Sequence, residues 1–232
     1  MTLIKEYFEQ TADWKNKKGE KTLIFIQVGA FYEVYGLKDK ITGDITGSDI
    51  EPFSQFCDLN ISDKRICVGK KGVVMAGFRD YSLEKYLKKT VDQNYTVVVI
   101  SQDEKAAGTS RSITGIYSPG TFFNSESIEI TNNSVCIWLQ KNKDQLIVGM
   151  SNIDIFTGKS YMFEYQDVFS KHCTSYDELE RFISIYNPSE VILIHNIEDR
   201  MINNIINFAS IKTDCIHKIN INNDDSLSDK AS

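Results

Sequence analysis

The ten residues QVGAFYEVYG, at positions 27–36, place a glycine break in front of a stretch that mixes aromatic and charged side chains. They follow the apolar run LIFI at 23–26, which predicts a buried strand ending near residue 29 and a second strand over 31–36. Side chains alternate along a strand, so Phe31 and Glu33 should share one face and Tyr32 the other. An aromatic ring beside a carboxylate is unusual in a core and suits contact with a flat, polar group such as a nucleobase.

The segments around this stretch predict a domain that mixes helices and strands. Apolar residues at helical spacing indicate a helix over 2–18, which Gly19 ends. The remaining predicted elements of this half are a short helix within 51–62, a strand at 73–78, a helix that begins at Ser82, and strands at 95–101 and 111–118.

A domain boundary is predicted between residues 120 and 133. Residues 1–120 hold 17 Lys+Arg and 16 Asp+Glu, whereas residues 121–232 hold 9 and 16, and the polar segment NSESIEITNNS lies at the change. Beyond it we expect three consecutive strands at 134–141, 146–154 and 159–166, then helices at 175–186 and 198–208 alternating with strands at 191–196 and 215–220. This pattern predicts an α/β layer fold. The predicted domains are 1–122 and 123–222, followed by a mobile tail at 223–232.

Composition narrows the class of protein. The chain has 232 residues, of which 41% are hydrophobic and 25% charged, as in ordinary globular domains. It contains no apolar run of the roughly 20 residues that a membrane helix needs, and its first residues do not form a secretory signal. The five cysteines and three histidines are scattered, which argues against a disulfide framework or a zinc site. We expect an intracellular protein of a reducing compartment with no membrane segment.

Charge argues against indiscriminate nucleic-acid binding, because the net charge is −6. Residues 60–89 are nevertheless basic, with eight Lys or Arg against three Asp or Glu. Two interpretations stay open for this segment: a solvated surface, or a patch that faces phosphates.

Motifs of common enzymes are absent from the sequence. It contains no GxxxxGK[ST], GxGxxG, GxSxG or HExxH. Asp154 ends a predicted strand just before a turn, a position where ribonuclease-H-like nucleases carry an acid. Such a nuclease needs two or three further carboxylates that converge on a metal ion, and the other acids of this half lie mostly in predicted helices and loops. A structural turn is therefore favoured over a metal site at Asp154.

Five segments carry a family resemblance through their content and order. They are YFEQTADWKNKKGEKTLIFIQVGAFYEVYG, VVMAGFRDYSLEKYLKKTVDQNYTVVVISQ, RSITGIYSPGT, NSVCIWLQKNKDQLIVGMSNIDIFTGKSYMFE and ELERFISIYNPSEVILIHN. The set resembles the amino-terminal part of the MutS family of DNA mismatch-recognition proteins, including its Gly-x-Phe-Tyr-Glu strand, its Met-Ala-Gly strand and its Ser-Pro-Gly-Thr turn. The resemblance covers nearly the whole chain.

The resemblance implies an α/β protein of two domains. A mixed-sheet mismatch-binding domain would be followed by a connector domain of ribonuclease-H-like fold without nuclease activity. It also implies that this chain is not itself an enzyme and holds no cofactor, and that the family's clamps and ATPase, with ATP and Mg²⁺, lie beyond residue 232. The implied partners are double-stranded DNA with mispairs, a second copy in a full-length dimer, and a MutL-like protein that contacts the connector domain.

The resemblance also assigns roles to individual residues. Phe31 would stack on a mispaired base from the minor groove, and Glu33 would form a hydrogen bond to it. Candidate contacts to the DNA backbone are Lys64, Arg65, Met75 and Arg111. The sequence departs from the family pattern at Ala30, where a polar residue is usual, and at Val74, where the family has proline.

Three other functions stay open. The chain could come from a MutS relative that binds junctions or other DNA structures, although the retained Phe-x-Glu argues against this. It could be a nuclease with a ribonuclease-H-like site at Asp154. It could also be an α/β interaction module with no preference among DNA structures.

Overall fold

A computed structural model describes residues 2–103, 110–123, 131–169 and 173–222. The chain divides into two compact units, Met1–Asn124 and Ser125–Ser232. The predicted domains, 1–122 and 123–222, differ from these bounds by two residues at the junction. The predicted mobile tail at 223–232 lies outside the described residues.

The first unit is built on one mixed sheet. Its elements are α1 (Thr2–Lys18), β1 (Thr22–Val28), β2 (Phe31–Lys38), β3 (Ile45–Thr46), α2 (Ile50–Cys57), β4 (Ser62–Val68), β5 (Lys71–Arg79), α3 (Leu83–Val91), β6 (Thr96–Gln102) and β7 (Arg111–Tyr117). Within the described residues, the strands lie in the order β4-β5-β2-β1-β6-β7, and β3 pairs with β2. Strand β1 runs antiparallel to β2 and parallel to β6.

The sheet of this unit is covered on both faces, because its central strands are apolar at consecutive positions. Leu23 and Phe25 belong to a core cluster that includes residues of α2 and α3. Ile24 and Ile26 belong to a second cluster that includes residues of α1. A strand buried on both faces reads as an unbroken apolar run, as in LIFI. Most elements of this unit were predicted within a few residues of their observed bounds.

The short helix predicted within 51–62 is α2, which begins one residue earlier, at Ile50. Helix α2 ends at Cys57, because Asp58 adopts a left-handed conformation with φ 56°. The chain then forms β4, an unpredicted strand that carries Lys64 and Arg65. Its sequence SDKRICV lacks the apolar alternation that predicts a half-buried strand. Among the described residues, β4 lies at the end of the sheet order and pairs with β5 alone.

In its described residues, the second unit has a five-stranded sheet with helices between its later strands. Its elements are β8 (Asn133–Asn142), β9 (Gln145–Asp154), β10 (Ser160–Val168), α4 (Asp177–Tyr186), β11 (Glu190–His195), α5 (Asp199–Phe208) and β12 (Ile216–Asn220). The order is β10-β9-β8-β11-β12, in which β8, β9 and β10 form an antiparallel meander while β11 runs parallel to both β8 and β12. Alternate residues of the strands pack with α4 and α5 in one core cluster. The predicted elements of this half were confirmed.

Membrane-spanning helices were also sought. Among the described residues, none of the helices is long and apolar enough to cross a bilayer.

Candidate nucleic-acid interface

The turn between β1 and β2 is held by a network of side chains. Gly29 takes a left-handed conformation with φ 59°, which glycine adopts without steric cost. The backbone amide of Gly29 donates to the side-chain oxygen Gln102 Oε1 at 3.2 Å. The backbone amide of Gln102 in turn donates to the side-chain oxygen Gln27 Oε1 at 2.8 Å. Arg111 Nε donates to the Gln27 carbonyl at 2.8 Å. Arg111, a candidate contact to the DNA backbone, therefore stabilises the turn that precedes Phe31.

Phe31 is the first residue of β2, and its ring is accessible. It is 42% exposed, whereas the next five residues of the strand are buried. The guanidinium carbon of Arg79 lies 5.3 Å from the centre of the Phe31 ring, within the range of a cation–π contact. Phe31 pairs with Arg79 in the ladder between β2 and β5, so register places the two side chains on one face. An exposed ring with a cation beside it presents an apolar surface next to a group that phosphates attract.

Glu33 shares the strand face of Phe31 but is buried, with 6% of its surface exposed. Lys64 Nζ lies 2.8 Å from Glu33 Oε1 and 2.6 Å from Oε2. The Tyr35 hydroxyl also donates to Glu33 Oε2. Burial, and the hydrogen bond to Glu33, raise the pKa of the Tyr35 hydroxyl well above its ordinary value. Tyr35 therefore stays protonated near neutral pH and keeps its hydrogen to donate.

Lys64 reaches Glu33 from the edge strand β4, across the intervening strand β5. The β4–β5 register shifts between Asp63 and Cys67, as in a β-bulge. At this bulge, Arg65 has φ 57° and its amide donates to Asp63 Oδ1 at 2.9 Å. At this bulge the Lys64 side chain points towards Glu33, whereas the Arg65 side chain is exposed.

Gly77 has no side chain, and this leaves room for the side chain of Glu33 on the neighbouring strand. Gly77 pairs with Glu33 in the β2–β5 ladder. A methyl group on Gly77 would lie 2.9 Å from the Tyr32 carbonyl oxygen and 3.3 Å from Glu33 Cγ. Met75, another candidate contact, pairs with Tyr35 and is half-buried against the core cluster that includes residues of α1.

The structure thus brings some predicted residues together and separates others. Phe31 and Glu33 lie on the face opposite Tyr32, which packs in the other core cluster, as predicted. Lys64 contacts Glu33, and Arg65 is exposed on the edge strand. Sequence reasoning missed Arg79, Gly77 and Tyr35 as parts of this site. The alternation Met75-Gly77-Arg79 opposite Tyr35-Glu33-Phe31 is a signal that could have indicated them, once β2 and β5 were paired.

Asp154, the candidate nuclease residue, lies at a tight turn. Its Oδ1 accepts from the amides of Asn132 and Phe156, both at 3.1 Å, and its Oδ2 accepts from the Thr157 hydroxyl at 2.6 Å. These hydrogen bonds, that of Thr157 first, hold the pKa of Asp154 below its ordinary value. Among the described residues, Asp154 belongs to no group of three side chains that could share a metal ion. The arrangement is that of a structural carboxylate.

One group in the described part of the chain does bring three ligand types together: Glu190, Cys215 and His217. His217 Nε2 lies 2.6 Å from Glu190 Oε1 and 3.6 Å from Cys215 Sγ. Two ligands on a tetrahedral zinc ion would lie about 3.3 Å apart at ordinary N and O bond lengths. The Glu190–His217 separation is shorter and fits a hydrogen bond that links β11 to β12.

Comparison with known proteins identifies the family. The family model described as MutS domain I matches residues 6–126. A DNA mismatch repair MutS homologue of Acanthamoeba polyphaga mimivirus is 28% identical over 214 residues, which cover 88% of this chain and 19% of that protein. The DNA mismatch repair protein MutS of Halothermothrix orenii is 29% identical over 203 residues, 86% of this chain and 20% of that protein.

A third relative gives the same result. The DNA mismatch repair protein MutS of Caldicellulosiruptor bescii is 29% identical over 189 residues, 80% of this chain and 19% of that protein. The chain spans about a fifth of the length of these relatives. The family model alone covers more than half of the 232 residues. The chain therefore belongs to the MutS family.

Proposed function

We propose that the first unit of this chain binds duplex DNA and detects mispaired bases, with Phe31 as the group that enters the stack. The observation that carries the proposal is the exposed Phe31 ring at the start of an otherwise buried strand. The names of the relatives, which are DNA mismatch repair proteins, support the substrate. Arg79 beside the ring and the exposed Arg65 supply positive charge for phosphates.

Stacking by Phe31 suits detection of a mispair for an energetic reason. A mispaired step is easier to unstack and kink than a paired one, so an apolar wedge enters there at lower cost. Stacking of a base on an aromatic ring is worth roughly 1–3 kcal/mol and does not depend on which base is present. Phe31 can therefore report weakened stacking and pairing without reading the base sequence.

Glu33 adds discrimination through its charge. A carboxylate near DNA is unfavourable unless it gains a specific hydrogen bond, so it penalises duplexes that offer none. A mispaired base has hydrogen-bonding groups that its partner does not satisfy, and one of these is the proposed partner of Glu33.

The second unit is proposed to be a connector of ribonuclease-H-like fold without nuclease activity. An antiparallel meander followed by two strands parallel to β8 supports this assignment. The Asp154 carboxylate is engaged in its turn, which argues against the alternative of a nuclease site there. We further propose that the full-length protein dimerises, that a MutL-like partner contacts the connector, and that ATP and Mg²⁺ are bound by residues outside positions 1–232.

Direct binding measurements test the proposal. The full-length protein should bind a short duplex with one mispair more tightly than the matched duplex and a four-way junction, at one fixed salt concentration. Stronger binding to the junction would favour a MutS relative that recognises other DNA structures. Equal binding to all three would favour an interaction module. Cleavage of any of them that requires added Mg²⁺ or Mn²⁺, and that Asp154→Ala abolishes, would favour the nuclease.

A further inference from the structure

We infer that Lys64 is a lock on Glu33: its ammonium closes the carboxylate off in the free protein and on matched DNA, and releases it on a mispair. The inference rests on the proposed function and adds a specificity-determining residue to it. It replaces, for Lys64 alone, the expectation of a simple contact to the DNA backbone.

Both oxygens of the Glu33 carboxylate accept hydrogen bonds within the protein. Lys64 Nζ contacts both carboxylate oxygens, at 2.8 and 2.6 Å, and Tyr35 donates to Oε2. Only 7% of the Glu33 side chain is exposed. A base that approaches from Phe31 therefore meets a neutralised and covered group. The hydrogen bond proposed for Glu33 can form only after the Lys64 ammonium has moved.

Lys64 is placed to make that movement. It stands at a bulge on the edge strand β4, and 25% of its side chain is exposed, so its ammonium can reach solvent without rearrangement of the core. Its Nζ also lies 5.5 Å from the Tyr35 ring centre, on the face that carries Phe31. A phosphate near this face offers the ammonium an alternative anion, and the lysine side chain is long and flexible enough to exchange partners.

The two kinds of duplex should use the lock differently. Matched DNA offers Glu33 no partner, so the ion pair stays closed and Glu33 penalises the matched duplex by keeping the Lys64 ammonium from its phosphates. A mispaired base offers a hydrogen bond, so Glu33 turns to the base while Lys64 turns to a phosphate. Removal of Lys64 leaves Glu33 charged and unpaired, a state that costs more than loss of the pair itself. That cost falls on the free protein and on the matched complex, in which the ion pair is closed, and not on the mispaired complex, in which Glu33 has the base as its partner. Lys64→Met should therefore raise the preference for mispaired DNA.

A double-mutant cycle in the full-length protein tests the lock. The variants are Lys64→Met, Glu33→Gln and the double variant, with affinities for mispaired and matched duplexes measured by fluorescence anisotropy at one salt concentration. Lys70→Met, an exposed lysine on the turn between β4 and β5, controls for the loss of one positive charge. Phe31→Ala controls for the proposed function itself.

We expect Lys64→Met to weaken matched binding about fivefold more than mispaired binding, within the range that coupled neighbours show. Because the ion pair is closed in the free protein and on matched DNA but open on a mispair, the coupling between Glu33 and Lys64 should nearly cancel from the matched affinities and appear in the mispaired affinities. Lys70→Met should weaken both duplexes equally. Equal losses for Lys64→Met, or equal coupling on both duplexes, would overturn the lock.

The outcomes separate the lock from the proposed function. If Phe31→Ala abolishes the preference for mispairs while Lys64→Met leaves it unchanged, mismatch sensing stands and the lock fails. If the wild-type protein shows no preference, the proposed function fails. In Lys64→Met alone, Glu33 keeps its charge without the lysine. The double variant carries neither charge, so it can still be compared with Glu33→Gln if Lys64→Met does not fold. In that case, a double variant and a Glu33→Gln variant with the same ratio of mispaired to matched affinity would support the lock, and different ratios would overturn it.

Discussion

Phe31 and Glu33 lie on the same face of β2, yet Phe31 is 42% exposed and Glu33 only 6%. Phe31 begins the strand next to the Gly29 turn, where the sheet ends. Glu33 lies further inward, opposite Gly77 and beneath the Lys64 ammonium. The two groups proposed to sense a mispair are therefore not equally available. The ring can meet DNA at once, whereas the carboxylate must first lose its ion pair.

This difference predicts the effect of removing the ring. Phe31→Ala should cost roughly 1–3 kcal/mol of mismatch affinity, the worth of one base–aromatic stack. The ratio of mispaired to matched affinity should fall by a factor of roughly 5 to 150, because matched binding does not use the wedge. Competition binding with the two duplexes, at one salt concentration, measures the ratio.

Tyr32→Phe is the matched control for this measurement. The Tyr32 hydroxyl lies 2.8 Å from Ser101 Oγ, and the ring packs on Phe78 in the opposite face's core. We expect the Tyr32→Phe protein to have the same ratio of mispaired to matched affinity as the wild type. A folded Phe31→Ala protein that kept the wild-type ratio would show that Phe31 has no role in discrimination.

Arg65 is expected to act on both duplexes alike. Its left-handed conformation, φ 57°, suits Asn better than most residues, so Arg65→Asn removes the charge and keeps the bulge. If the exposed guanidinium contacts one phosphate, both affinities should fall together. The slope of log affinity against log salt should then decrease by about one. An unchanged slope would place Arg65 in solvent rather than against DNA.

Much of this fold could be predicted from the sequence, because hydrophobic periodicity reports burial directly. The run LIFI gave β1, and the alternation after Gly29 gave the shared face of Phe31 and Glu33. Strand β4 was missed because an edge strand has little apolar surface to bury. The contact between Lys64 and Glu33 could not be predicted, since it depends on a bulge and on β5 lying between the two strands. Arg79 was missed for the same reason, as its place beside Phe31 follows from strand register.

Asp154 should affect stability in the acid range rather than catalysis. Hydrogen bonds from Thr157, Asn132 and Phe156 lower the pKa of its carboxylate in the folded state. Its contribution to the free energy of unfolding is therefore full above the ordinary pKa of 3.8 and is lost as pH falls through the lower folded value. Asp154→Asn should be less stable than the wild type at neutral pH, and the two should converge below that value.

Fluorescence of Trp138, which lies in β8 of the same unit, can follow this unfolding in a Trp14→Phe background. Urea titrations across the acid range would give the free energy of unfolding of each protein. A stability difference that does not shrink as pH falls would contradict the role assigned to the Asp154 carboxylate.

Gly77 is predicted to be necessary because it lies opposite Glu33 without a side chain. In Gly77→Ala, the new methyl group would lie 2.9 Å from the Tyr32 carbonyl oxygen, a backbone atom that cannot turn aside. Strand β2 must then shift, which should cost about 1–3 kcal/mol of stability, as overpacked sites do. The same shift would move Glu33, whose Cγ lies 3.3 Å from the added methyl, so discrimination of mispairs should fall as well.

Gly72→Ala is the matched control on the same strand, since its nearest neighbour would be the Lys38 carbonyl oxygen at 3.9 Å. We expect it to change stability by less than about 0.5 kcal/mol. Urea unfolding gives the stability of Gly77→Ala and Gly72→Ala, and binding to mispaired and matched duplexes gives their discrimination. Equal stability and equal discrimination of the two variants would refute the close approach at Gly77.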